Sequence, residues 1–204
     1  KLVSALQEII DYEKIKVLGF EENLFYSEHK IFRKLKSIKL KLARDITERV
    51  RIIKDESELD SLKKACKLTD DAFDHVVKSV RLGITEVELA WEIEKYIKEH
   101  GGDLAFPSIV AFGKNSATPH HKTNSDKLSA NRIILLDFGA KVNGYCADMT
   151  RTIFFGVASE KFKKIYDAVR KAQELPFLKS YTLSLKSSNI DKLARDYIVK
   201  QGYS

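Results

Sequence analysis

Apolar residues recur at a helical spacing over most of the chain and at a strand spacing in its middle. The helical spacing predicts helices over residues 1–14, 26–37, 57–80, 85–100, 159–176 and 189–200. Alternating or continuously apolar stretches predict strands over residues 15–20, 40–43, 108–112, 133–138 and 145–154. Thr85 with Glu88 has the pattern of a capping box, and Pro176 should kink or end the fifth helix.

The long helix predicted over residues 57–80 carries an apolar stripe that we expect to face the core. The stripe consists of Leu59, Leu62, Cys66, Phe73, Val76, Val77 and Val80. Cys66 lies on this stripe, so we expect a small core residue rather than a reactive thiol. Ser57 with Asp60 is the expected capping box at the start of this helix.

An Asn143-Gly144 pair between two strand patterns is a strong indication of a tight hairpin. With these two residues as the loop, Gly139 lies across from Asp148. Asp137 shares the face of Gly139, because side chains alternate along a strand. The two aspartates are then diagonal neighbours, about 7–8 Å apart at the backbone. Gly139 leaves room between them for bound ions.

Two carboxylates on one face of a strand pair call for an explanation, since aspartate is depleted in strands and like charges repel. A divalent cation between Asp137 and Asp148 would compensate them, and oxygen ligands suit Mn²⁺, Mg²⁺, Co²⁺ or Zn²⁺. The alternative is an exposed face on which both aspartates are merely solvated. The continuous apolar run before Asp137 favours the metal site, because a hairpin with one wet face should alternate.

Two adjacent histidines, His120 and His121, lie in the polar loop over residues 113–126 that precedes the hairpin. A neutral imidazole can accept or relay a proton near physiological pH. His120 is therefore a candidate catalytic residue, with a surface-loop histidine as the alternative. The same argument applies more weakly to His121.

The charge balance changes this picture little. The chain has 36 Lys+Arg against 29 Asp+Glu, a net charge of +7. The lysines are interleaved with glutamates, which is typical of solvated helix faces, so we expect no nucleic-acid partner. Two cysteines without a spaced framework favour a reducing compartment. No apolar run reaches the ~20 residues of a membrane span and no signal peptide is visible, so we expect a cytoplasmic protein without membrane contact.

The stretch DFGAKVNGYCADMTRT, from Asp137 to Thr152, resembles the metal-binding hairpin of the pita-bread metallopeptidases. FPSIVAFGKNSATPHH is similar to the histidine loop of their proline-specific branch, Xaa-Pro dipeptidase (prolidase) and aminopeptidase P. The resemblance implies an α+β pita-bread fold that is incomplete at both ends. Residues 1–50 would be the C-terminal part of a creatinase-like α/β domain, and residues 51–204 the first portion of the catalytic domain.

By this resemblance Asp137 is the chelating ligand and Asp148 the bridging ligand of a dinuclear metal centre, and His120 contacts the substrate. The implied cofactors are two divalent ions, Mn²⁺ first and Co²⁺ or Zn²⁺ as alternatives, with a bridging hydroxide. The implied substrates are short proline-containing peptides, and the implied full-length protein is a homodimer. A histidine and two glutamates would complete the ligand set beyond residue 204, so we expect the 204-residue chain itself to be inactive.

Two alternatives remain open at this point. One is another pita-bread protein, either a methionine aminopeptidase or a creatinase-like hydrolase. The other is a non-catalytic binding module that keeps the fold without the chemistry. The segment over residues 182–188 departs from the Pro-Gly that the family often shows before its last helix, but the hairpin is unaffected.

Overall fold

The computed structural model describes residues 2–178 and 186–203 and has an α+β composition, as predicted. The helices are α1 Leu2–Tyr12, α2 Tyr26–Phe32, α3 Ile46–Ile52, α4 Glu56–Ser79, α5 Glu86–Glu99, α6 Glu160–Glu174 and α7 Ser187–Lys200. The strands are β1 Val17–Phe20, β2 Lys39–Leu42, β3 Asp103–Leu104, β4 Ile109–Phe112, β5 Arg132–Phe138, β6 Ala140–Val142, β7 Tyr145–Cys146 and β8 Met149–Phe155. Short 3-10 helices follow β4 at Gly113–Ala117 and α6 at Leu175–Leu178.

The chain divides into two compact units, Lys1–Leu59 and Asp60–Ser204. In the first unit, β1 and β2 pair in parallel, joined by α2. The helix α2 ends at Phe32, earlier than predicted, and α3 was not predicted at all. The assignment of residues 1–50 and 51–204 to two domains of the pita-bread family stays a prediction.

Two features of α4 differ from the predictions made from the sequence. Its first turn is capped by Asp55, which accepts from the Glu58 N–H at 2.9 Å, while the Glu58 carboxylate accepts from the Asp55 N–H at 2.7 Å. Asp55 takes the role predicted for Ser57, whose hydroxyl instead donates to the Asp55 carboxylate.

The predicted core stripe of α4 was wrong only in part. Leu59, Cys66 and Val77 are exposed, whereas Val76 is buried and Phe73 and Val80 pack against the core. The buried positions are Ser61, Ala65, Leu68, Thr69, Ala72 and Val76. Small side chains let a helix approach its neighbours closely, and that close packing decided the buried face where hydrophobicity alone did not.

The core of the second unit lies among α4, α5 and two small antiparallel sheets. One sheet has the strand order β4-β5-β8 and the other β3-β6-β7. The fully buried core includes Leu89, Ile93 and Ile97 of α5, with Ile134, Leu136 and Phe138 of β5. In the part of the chain that the structure describes, no helix has the length and apolarity needed to cross a bilayer.

The other predicted helices of this unit are in place. Thr85 and Glu88 form the capping box of α5, with the Thr85 hydroxyl accepting from the Glu88 N–H at 3.1 Å. Ser159 caps α6, which ends before Pro176. The helix α7 begins at Ser187, and residues 182–185 of the divergent segment lie outside the described residues.

Candidate active site

The tight turn predicted at Asn143 and Gly144 is confirmed. The φ angles are 52° at Asn143 and 86° at Gly144, as a two-residue type I′ turn requires. In the register that follows from this turn, Asp137 of β5 lies opposite Thr150 of β8. The predicted return strand is interrupted, however, because β7 ends at Cys146 and β8 starts only at Met149.

The interruption explains the glycine at position 139. A Cβ atom there would lie 1.8 Å from the carbonyl oxygen of Ala147 and 3.3 Å from the Cα of Asp148. Glycine is therefore required because the backbone of the opposite strand occupies that space. The space beside Gly139 was predicted to hold bound ions, but the Ala147 carbonyl occupies it.

Alternation along β5 sends Asp137 away from the core. Ile134, Leu136 and Phe138 are fully buried on one face. Asp137 is half-buried on the other, and Asp148 is exposed. The face that carries the aspartates is thus only partly buried, and a ligand can reach it from solvent.

One pocket brings together all three residues predicted for the site. Asp137 and Asp148 line it from the hairpin, and His120 lines it from the loop after β4. The rest of the lining is supplied by Phe106, Pro107, Ser108, Ile109, His121, Lys122 and Thr123. The pocket therefore combines two carboxylates, two imidazoles and an apolar wall.

Asp137 is the carboxylate of this pocket whose pKa departs from its ordinary value. Burial is the largest cause that raises the pKa of Asp137 above its ordinary value, and the charge of Asp148 raises it further. A hydrogen bond from the Thr150 hydroxyl and the nearby His120 oppose that rise in pKa without cancelling it. A cation between the two carboxylates would remove the repulsion.

The carboxylates, with the imidazole opposite, suit a hard or borderline divalent ion by their chemistry. Within residues 2–178 and 186–203, however, no cluster of three or more His, Cys, Asp or Glu side chains is arranged to hold a metal. Cys146, the other potential ligand on the hairpin, is an exposed free thiol. The histidine and two glutamates expected from the family resemblance stay a prediction.

Glu86, the first residue of α5, contacts the loop that lines the pocket and was not predicted from the sequence. Its side chain is fully buried, and it accepts hydrogen bonds from the Phe112 N–H, the Asn115 side chain and the Asn124 N–H at 2.8, 2.8 and 3.1 Å. The oxygen that accepts from Asn124, Oε2, also lies 2.8 Å from Nε2 of His121. Acidic residues are common in the first turn of exposed helices, so nothing in the local pattern distinguished Glu86.

Comparison with known proteins places the chain among peptidases. The profile of metallopeptidase family M24 matches residues 60–204. An uncharacterized peptidase of Bacillus subtilis, YqhT, is 34% identical over 205 residues, covering 99% of this chain and 58% of its own length. An Xaa-Pro dipeptidase of Pyrococcus horikoshii is 34% identical over 193 residues, covering 94% of this chain and 55% of its own length.

Solved structures agree with the sequence relatives. An Xaa-Pro dipeptidase from Bacillus anthracis superimposes with a TM-score of 0.93 at 34% identity, covering 100% of this chain and 57% of that structure. An X-Pro aminopeptidase from Thermotoga maritima superimposes with a TM-score of 0.90 at 30% identity, covering 100% of this chain and 58% of that structure. These likenesses confirm the pita-bread fold, and the chain spans a little more than half the length of the relatives it matches.

Proposed function

Because the chain belongs to metallopeptidase family M24, we propose that it forms part of a metal-dependent exopeptidase that hydrolyses Xaa-Pro peptide bonds. The observation that carries the proposal is the single pocket shared by Asp137, Asp148 and His120. Relatives named as an Xaa-Pro dipeptidase and an X-Pro aminopeptidase support proline specificity, and both activities stay open for this protein.

In this proposal Asp137 and Asp148 hold two divalent cations, with Mn²⁺ as the first candidate and Co²⁺ or Zn²⁺ as alternatives. When bound, such ions supply the Lewis acidity that activates water and polarises the scissile carbonyl. The Thr150 hydroxyl donates to Asp137 and orients that carboxylate toward the pocket.

His120 faces the carboxylates and would donate a hydrogen bond to the carbonyl oxygen of the scissile bond as negative charge develops there. Phe106, Pro107 and Ile109 provide an apolar wall on which a pyrrolidine ring can pack. An Xaa-Pro bond has no N–H to pair, so an apolar wall on that side leaves no donor unsatisfied. Short proline-containing peptides are the proposed substrates, and the proposed setting is a cytoplasmic homodimer.

The test uses the full-length protein encoded by the gene for this chain, loaded with Mn²⁺. We expect turnover of Ala-Pro or a longer Xaa-Pro peptide and none of Met-Ala. Asp137→Asn and Asp148→Asn should each lower kcat/KM about a thousandfold, because a metal ion supplies several kcal/mol of transition-state stabilisation.

Asp103→Asn is the matched control for these two variants. It removes an equally charged residue from strand β3, where the Asp103 carboxylate makes an exposed ion pair with Lys98 at 3.5 Å. Hydrolysis of Met-Ala but not Ala-Pro would instead indicate a methionine aminopeptidase. Absence of any peptidase activity together with tight peptide binding would indicate a binding module.

A further inference from the structure

The buried carboxylate of Glu86 holds the loop that carries His120 on both sides of that histidine. Before His120, the Oε1 atom accepts from the Phe112 N–H and the Asn115 side chain, both at 2.8 Å. After it, the Oε2 atom bonds Nε2 of His121 at 2.8 Å and the Asn124 N–H at 3.1 Å.

Because the Glu86 carboxylate is buried, it needs hydrogen bonds from the protein in place of those from water. The Glu86 side chain is completely inaccessible to solvent, and the His121 side chain is only 12% exposed. A buried carboxylate without hydrogen-bond partners is costly, so each donor to Glu86 offsets part of the cost of its burial. The four donors therefore hold the segment from residue 112 to residue 124 against the first turn of α5.

Backbone contacts beside Glu86 hold the end of the same loop. The N–H of Glu86 donates to the Asp126 carbonyl and the N–H of Val87 to the Asn124 carbonyl, both at 3.1 Å. The side chain of Asn115 bridges the network to the Asp126 carboxylate at 2.8 Å. The N-terminus of α5 thus holds in place the histidine loop, the segment over residues 113–126 that carries His120.

We propose that Glu86 is a positioning residue for His120, acting through His121 and the two arms of the loop to hold the His120 imidazole opposite Asp137 and Asp148. The inference rests on the proposed function for its catalytic meaning, because His120 acts only if that function holds. The positioning itself is a structural relation that can be measured separately.

The first experiment follows His120 directly in the full-length protein labelled at histidine. Glu86→Gln keeps the size of the side chain but has a single acceptor oxygen. Its NH₂ group must therefore face two of the four donors. We expect the ring resonances of His120 to shift and amide exchange in residues 113–126 to accelerate.

Glu92→Gln is the matched control, since Glu92 lies on the same helix and also contacts a histidine, His75, at 3.5 Å. That pair is half-exposed and lies outside the histidine loop, so the control should leave the His120 resonances unchanged. Unchanged His120 resonances in Glu86→Gln would overturn the proposal, whether or not the protein is a peptidase.

The second experiment measures Xaa-Pro turnover. Glu86→Gln should lower kcat about tenfold to a hundredfold, as a displacement of about 1 Å at a reacting group can do, with KM and Mn²⁺ affinity within about twofold of wild type. His121→Leu should behave in the same way, whereas His121→Gln, whose amide can still donate to Glu86, should recover most of the loss.

A double mutant separates positioning from general destabilisation. In a His120→Ala background, Glu86→Gln should cause no further loss of kcat, because the group that it positions is gone. Equal losses in both backgrounds would overturn the proposal. If full-length protein hydrolyses no Xaa-Pro peptide at all, the proposed function fails, and the His120 resonances alone decide the positioning role.

Discussion

The Thr69 hydroxyl of α4 accepts a hydrogen bond from the Ala140 N–H at 2.9 Å and donates one to the Ala65 carbonyl at 2.8 Å. Both residues that it joins across 71 positions of sequence are buried. The contact ties the long helix to the strand that follows Asp137, and so helps to set where the aspartate hairpin lies.

Thr69→Val should therefore destabilise the protein by about 1–3 kcal/mol, the cost of leaving a buried N–H unpaired. Chemical denaturation gives the measurement. Ser108→Ala is the control, because Ser108 Oγ is buried and makes no hydrogen bond among the described residues. That variant should be neutral or slightly stabilising. Equal losses in the free energy of unfolding for Thr69→Val and Ser108→Ala would show that the Thr69 hydrogen bond does not stabilise the protein.

Gly139→Ala should destabilise the hairpin by roughly 1–3 kcal/mol, toward the upper end, since an added methyl group cannot be accommodated without moving the backbone at Ala147. Gly102→Ala is the comparison. Its Cβ would lie 2.5 Å from Cδ2 of Leu68, the flexible end of a side chain that can shift. The free energy of unfolding should fall less in Gly102→Ala than in Gly139→Ala. A larger fall in Gly102→Ala would contradict the clash with the Ala147 backbone as the cause.

Removal of metal should lower the melting temperature of the full-length protein, and added Mn²⁺ should restore it, because a ligand that binds only the folded state stabilises it. Asp137→Asn and Asp148→Asn should each abolish the response to Mn²⁺. Thermal unfolding with chelator and with Mn²⁺ measures the effect. A response that survives in both variants would place the metal away from this pocket.

The α5 cap should make stability depend on acid pH. Hydrogen bonds from the Thr85 N–H and hydroxyl hold the pKa of Glu88 below its ordinary value of 4.5. A lowered folded-state pKa means that the stabilisation is fully present above the ordinary value and is lost as the pH falls through the folded-state value.

The free energy of unfolding of Glu88→Gln should accordingly decrease less than that of wild type between neutral pH and pH values below 4.5. Glu94→Gln, in the middle of the same helix, removes the same charge away from the cap and should leave the slope as in wild type. Urea unfolding across that pH range compares the two variants. A slope that is unchanged in Glu88→Gln would mean that another carboxylate causes the acid dependence.

The sequence by itself determined the local features, because their causes are local. The Asn143-Gly144 turn needs two positive φ angles that these residue types tolerate. Thr85 and Glu88 satisfy the free N–H groups of their own helix end. The period of two predicts Asp137 and Asp148 on one side of the hairpin, although the return strand that carries Asp148 is interrupted between Cys146 and Met149.

Only the tertiary structure decided which surfaces meet. The face of α4 that is turned to the core depends on how closely Ala65 and Ala72 let neighbouring elements approach. The spacing of apolar residues along the helix does not predict that approach. Gly139 is required by the Ala147 carbonyl of the opposite strand. The burial of Glu86 depends on donors 26 to 38 residues away that fold back onto it. A charged residue in a first helical turn is ordinarily exposed, and long-range hydrogen bonds alone make its burial favourable.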